Sequence, residues 1–125
     1  MRMFVITIME NDRSVQVADR CVKSGQVFGY KIEKHHAYSP QNCNVNQELD
    51  NLNYDRSGFI EKYSRPENCI AGFLSHHSLW MKCLELNEPI VIFEHDAVVT
   101  NDIPILVLFD LLNTQKYKIY IFLRH

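Results

Sequence analysis

Pro89-Ile90-Val91-Ile92-Phe93 is a continuous apolar run, and Glu94-His95-Asp96 follows it without a break. A short, β-branched run with no polar alternation is the pattern of a strand buried on both faces of a parallel sheet. Polar residues placed immediately after such a strand stand at its carboxyl end, where open α/β sheets bind ligands. Glu94 and Asp96, two carboxylates at i and i+2 in a loop leaving a strand, can converge on one hard cation such as Mg²⁺ or Mn²⁺. A cation there would hold a diphosphate and neutralise charge developing on it as a leaving group. The plain alternative is a pair of acidic residues that end a strand at the surface.

The segments on either side fit the same architecture. Pro66 suits the first turn of a helix, in which Ile70, Phe73, Leu74, His77, Met81 and Leu84 recur at helical spacing beside Trp80. Asn87 and Pro89 end it. Phe4-Val5-Ile6-Thr7-Ile8 reads as a buried first strand, residues 14–24 as a helix that stops at Gly25, and residues 27–33 as a second strand. Strand, helix, strand at this spacing predicts a parallel βαβ unit. Residues 38–65, rich in Asn and Asp with Pro40 and Gly58 as breakers, read as a long loop with a turn near 59–63. Residues 105–112 read as a helix and 116–123 as a last strand. The expectation is one α/β domain over residues 1–125, three-layered, with a largely parallel sheet.

Composition narrows the function. With 46% hydrophobic residues and 125 positions the chain can bury a real core. A formal net charge of −2 and a pI near 6.3 provide no basic surplus for phosphate neutralisation, so a nucleic-acid binder is not expected. No apolar run approaches the ~20 residues of a membrane helix, and the first residues lack the pattern of a signal peptide, so a cytoplasmic protein is expected. Cys21, Cys43, Cys69 and Cys83 then read as reduced thiols, none in a CxxC pair. No glycine-rich phosphate loop follows the first strand, which argues against dinucleotide enzymes and P-loop nucleotidases. Arg13, just after that strand, could pair with a phosphate or with Glu10 and Asp12. A zinc site from Cys69, His76 and Cys83 is conceivable with His35 or His36 added, because ligands on one straight helix cannot close a tetrahedron alone.

Ser75-His76-His77-Ser78-Leu79-Trp80, followed by Glu88-Pro89-Ile90-Val91-Ile92-Phe93-Glu94-His95-Asp96-Ala97-Val98-Val99, resembles glycosyltransferase family 25. The first strand with a nearby Arg, and the second strand leading to Ala37, look similar too. The resemblance implies the nucleotide-binding half of a GT-A glycosyltransferase, a UDP-sugar donor (galactose above others), a glycan acceptor and Mn²⁺ or Mg²⁺. It places Asp96 and Glu94 at the metal, and Thr7, Arg13, Ala37, His76, Glu94 and His95 around the sugar nucleotide. It names no catalytic base. Gly72 stands where the family usually has Cys, and His95 where it has the middle Asp of Glu-Asp-Asp. Family members usually continue into an acceptor-binding half after the acidic motif. The alternative expectation is a non-catalytic binding or assembly module of the same fold, self-associating through its apolar last strand.

Overall fold

The structure, a computed structural model, describes residues 1–59 and 65–103, and residues 119–122 as backbone. The elements are β1 (Arg2–Thr7), α1 (Asp12–Gln26), β2 (Ile32–His36), α2 (Val45–Asn51), α3 (Pro66–Leu86), β3 (Ile90–Phe93) and β4 (Ile119–Phe122), with a short 3₁₀ turn at Arg56–Gly58. All strand pairs are parallel, in the order β2-β1-β3-β4. The expected helix at 105–112 and turn at 59–63 lie wholly or mainly outside the described residues. Among those residues no helix is long and apolar enough to cross a membrane.

Alternation along the strands builds two cores, one on each face. Met3 and Val5 of β1, with Val91 and Phe93 of β3, pack with Ala18 and Cys21 of α1. Phe4 and Ile6, with Ile90 and Ile92, pack instead with Leu79 and Cys83 of α3. The three layers are therefore α1, sheet, α3, and a third cluster of Val45, Leu49, Ile70, Ala71 and Leu74 joins α2 to α3. Both faces of β1 and β3 are covered, which explains why Ile90–Phe93 carries no polar residue.

Three expectations need correction. β2 begins at Ile32 rather than at residue 27, because α1 runs through Gly25 to Gln26 and residues 27–30 form its closing turn. Phe28 and Tyr30 both donate their N–H groups to Gly25 O, and Gly29 sits at φ 81°. Gly25 is a spacer here, not a stop: a Cβ on it would lie 2.5 Å from Ile32 Cδ1. The segment at 38–65 is not all loop, since Asn44 accepts from Gln47 N–H and starts α2. On α3 the buried face is Ile70, Leu74, Ser75, Leu79 and Cys83, whereas Met81 and Leu84 are 52% and 71% exposed. The first half of the predicted stripe is buried against α2, whereas over the sheet Leu79 and Cys83 face inward and the second half turns toward solvent.

His35 illustrates how the α3–sheet layer reads pH. Ser78 Oγ donates to Ser75 O, so it accepts from His35 Nε2 at 2.8 Å. Burial, aided by Lys82 and His36, holds the His35 pKa below its usual value. The folded protein then binds a proton at His35 less readily than the unfolded chain, so stability is lost as pH falls through the ordinary histidine range. Thermal melts from about pH 7.5 to about pH 5 should show Tm falling, and falling less in His35→Gln. Equal pH slopes in the two proteins would remove His35 from this role.

Candidate functional site

Strand order places the switch point between β1 and β3: the chain leaves β1 through α1 on one face to β2, and returns over the other face through α3 to β3. A crevice opens outside the carboxyl ends of strands at such a point. Three strand ends meet there. β1 runs into Ile8, β2 into Ala37, whose N–H donates to Thr7 O at 2.8 Å, and β3 into Glu94-His95-Asp96. Ala97 N–H donates to Glu94 O at 3.0 Å, so the acidic segment is a tight turn rather than an extended tail. Val99 N–H donates to Ser24 Oγ, which ties the next residues down onto α1.

Each residue of the turn has a distinct anchor. His76 Nε2 on α3 lies 2.7 Å from Glu94 Oε1. That hydrogen bond holds the Glu94 carboxyl below its usual pKa, against partial burial that pushes it upward. With its hydrogen on Nε2, His76 leaves Nδ1 as a buried lone pair without a partner among the described residues. On the opposite face, His95 Nδ1 lies 2.8 Å from Ser14 Oγ in the first turn of α1. Arg20 reaches Asp96 through the backbone, Nη2 to O at 3.4 Å.

The turn divides two clefts. One, about 300 Å³, lies toward α3 and is lined by Ile6, Ala37, Pro40, Gly72, Ser75, Glu94 and His95 among others. A Cβ at Gly72 would meet nothing within 4 Å, so the missing side chain leaves that wall open. The other, about 670 Å³, lies toward α1 and is lined by Arg13, Val17, Arg20, His95, Asp96, Val98 and Thr100. His95 belongs to both. The first is smaller and mainly apolar, suited to a flat ring. The second is lined by two arginines and an aspartate, residue types suited to phosphate and a counter-cation.

The structure thus gathers Arg13, Ala37, His76, Glu94, His95 and Asp96 around one crevice. Thr7 lies at the strand end but is fully buried, its hydroxyl donating to Val5 O. Sequence reasoning missed Arg20, although Arg13, Val17 and Arg20 follow one helix face at i, i+4, i+7. It also missed Ser14, whose partner His95 is 81 residues away. The zinc alternative does not assemble: Cys83 donates its S–H to Glu88 O, His76 is engaged by Glu94, and no cluster of three or more His, Cys, Asp or Glu among the described residues could hold a metal. None of the four cysteines is in a disulfide, and burial raises the Cys21 thiol to about 11.

The parallel α/β sheet thus carries a polar, two-cleft crevice at its switch point, where open sheets of this class bind ligands. The sequence model of glycosyltransferase family 25 (LPS biosynthesis protein) matches residues 1–125, and the chain belongs to that family. Membership implies a sugar donor and an acceptor as substrates. No curated protein and no solved structure matches the chain.

Proposed function

We infer that the crevice is the donor site of a glycosyltransferase, of GT-A type, that takes a UDP-sugar and transfers the sugar to a glycan hydroxyl. The observation that supports this most is the meeting of the two clefts at Glu94-His95-Asp96 on the β1/β3 switch point. The uracil and ribose fit the cleft between Ala37 and Gly72, with the Glu94 carboxylate facing ribose hydroxyls. The diphosphate then lies toward Arg13 and Asp96. His76 is a positioning residue, fixing one oxygen of Glu94 so that the other is presented to the ligand.

The donor set fits a hard divalent cation of the Mg²⁺ or Mn²⁺ kind. Such ions are commonly held by one or two carboxylates plus substrate phosphates and water, so a three-ligand protein cage is not required. Asp96, with Glu94, would hold the ion, which would neutralise charge on the departing UDP. The guanidinium of Arg13 assists by favouring the same anionic oxygens. Calorimetry of UDP binding with Mn²⁺ and with EDTA tests the reading. Binding strengthened by Mn²⁺ is expected, and its absence in both buffers contradicts the assignment.

A further inference from the structure

We propose that His95 is an anion-binding residue, its Nε2–H donating to a phosphate oxygen of a nucleoside diphosphate laid across the two clefts. The proposal rests on the donor-site reading above and assigns a role to the one side chain that both clefts share.

Ser14 dictates which way the ring presents its hydrogen. Its side chain is buried, and its Oγ accepts from Ile8 N–H at 2.9 Å while lying 2.8 Å from His95 Nδ1. A hydroxyl has one hydrogen and two lone pairs. With one lone pair taken by Ile8, the hydroxyl hydrogen points to His95 Nδ1, and a singly protonated ring must carry its own hydrogen on Nε2. The opposite tautomer would place Nδ1–H on the second lone pair and strand the buried hydroxyl hydrogen, which costs the full desolvation of that donor. The arrangement that satisfies Ser14 therefore leaves Nε2 a donor.

That donor is directed at the crevice. Nε2 makes no hydrogen bond within the described residues, and it is not among their buried unpartnered atoms, so it is open to solvent. Arg13 and Arg20 line the same α1 cleft, and Arg13 forms no ion pair within the described residues. A ligand spanning from the apolar cleft to the arginines must pass His95. The part of a nucleoside diphosphate at that point is its phosphate, and a donor on the rim of the arginine-lined cleft suits it. A carboxylate at this position would repel the same oxygens.

The test is calorimetric titration of UDP and of uridine into wild type, His95→Ala and His95→Gln, each with Mn²⁺ and with EDTA. His95→Ala should weaken UDP about tenfold in both buffers, the loss of one hydrogen bond to a charged group, and leave uridine unchanged. His95→Gln, whose amide N–H₂ can reach the Nε2 position, should retain most of the affinity. Unchanged UDP binding in His95→Ala, an equal loss for uridine, or wild-type UDP binding confined to Mn²⁺ would each overturn the proposal while leaving the donor site standing. UDP binding by no protein in either buffer would overturn the donor site itself, and this role with it.

Discussion

Shortening Leu79 to alanine is expected to destabilise the protein by about 3 kcal/mol, lowering Tm on the order of 10 °C. Leu79 is 0% exposed and lies on α3 beneath the sheet, against Phe4, Ile6, Ile90 and Ile92. Removing its isobutyl group loses the transfer free energy and leaves a cavity that four sheet residues, held by β1–β3 pairing, cannot close. Leu84→Ala is the control: Leu84 is on the same helix but mostly exposed, and its loss should stay within about 0.5 kcal/mol. Urea or thermal denaturation of the two variants reads the helix rotation directly. A large loss for Leu84 with a small one for Leu79 would put the other face of α3 on the sheet.

The second large effect is on ligand binding. Asp96→Ala should reduce UDP affinity in Mn²⁺ at least about tenfold, to the level of wild type in EDTA, with little change in EDTA itself. Asp96 stands on the wall of the arginine-lined cleft, one residue beyond His95, where a cation would face the diphosphate. The turn itself is closed by the backbone bond from Ala97 N–H to Glu94 O, so circular dichroism should show the variant folded. Parallel calorimetry in the two buffers gives the ratio. A variant that keeps the full Mn²⁺ effect would exclude Asp96 as the ligand.

Much of this could be read from local sequence, and the parts that could not share a cause. Ile90–Phe93 was legible as a doubly buried strand because burial on both faces removes every polar residue, and the structure places α1 and α3 on those faces. β1 and the ends of α3 were legible for similar reasons, through β-branched residues, Pro66 and the left-handed Asn87. β2 was displaced because Val27, Phe28 and Tyr30 alternate like a strand but belong to a turn closed on Gly25 O. α2 was hidden because asparagine-rich composition reads as loop, while Asn44 is spent as a cap and Asn53 in a left-handed turn. The stripe on α3 held at Ile70 and Leu74 and failed at Met81 and Leu84, because helical spacing shows that a face exists and the partner surface chooses which one is covered.

The crevice divides in the same way. Glu94 and Asp96 stand out as carboxylates after an apolar strand, and Arg13 as a cation after another. Two of the contacts that orient the turn do not stand out, because Ser14–His95 and Arg20–Asp96 span 81 and 76 residues. Periodicity carries no information at those separations. Ser14 in particular reads as an ordinary helix-start residue until the fold brings His95 beside it.

The most direct test of the donor-site assignment is a map of backbone amide shifts in ¹⁵N-labelled protein titrated with UDP and Mg²⁺. The account predicts changes concentrated at Arg13, Ala37, Ser39, Gly72, Glu94 and His95, around the carboxyl ends of β1, β2 and β3. Shifts centred instead on the cleft of Met1, Met3, Gly29, Tyr30 and Lys31, at the opposite end of the sheet, would contradict it. So would a spectrum that saturating UDP leaves unchanged.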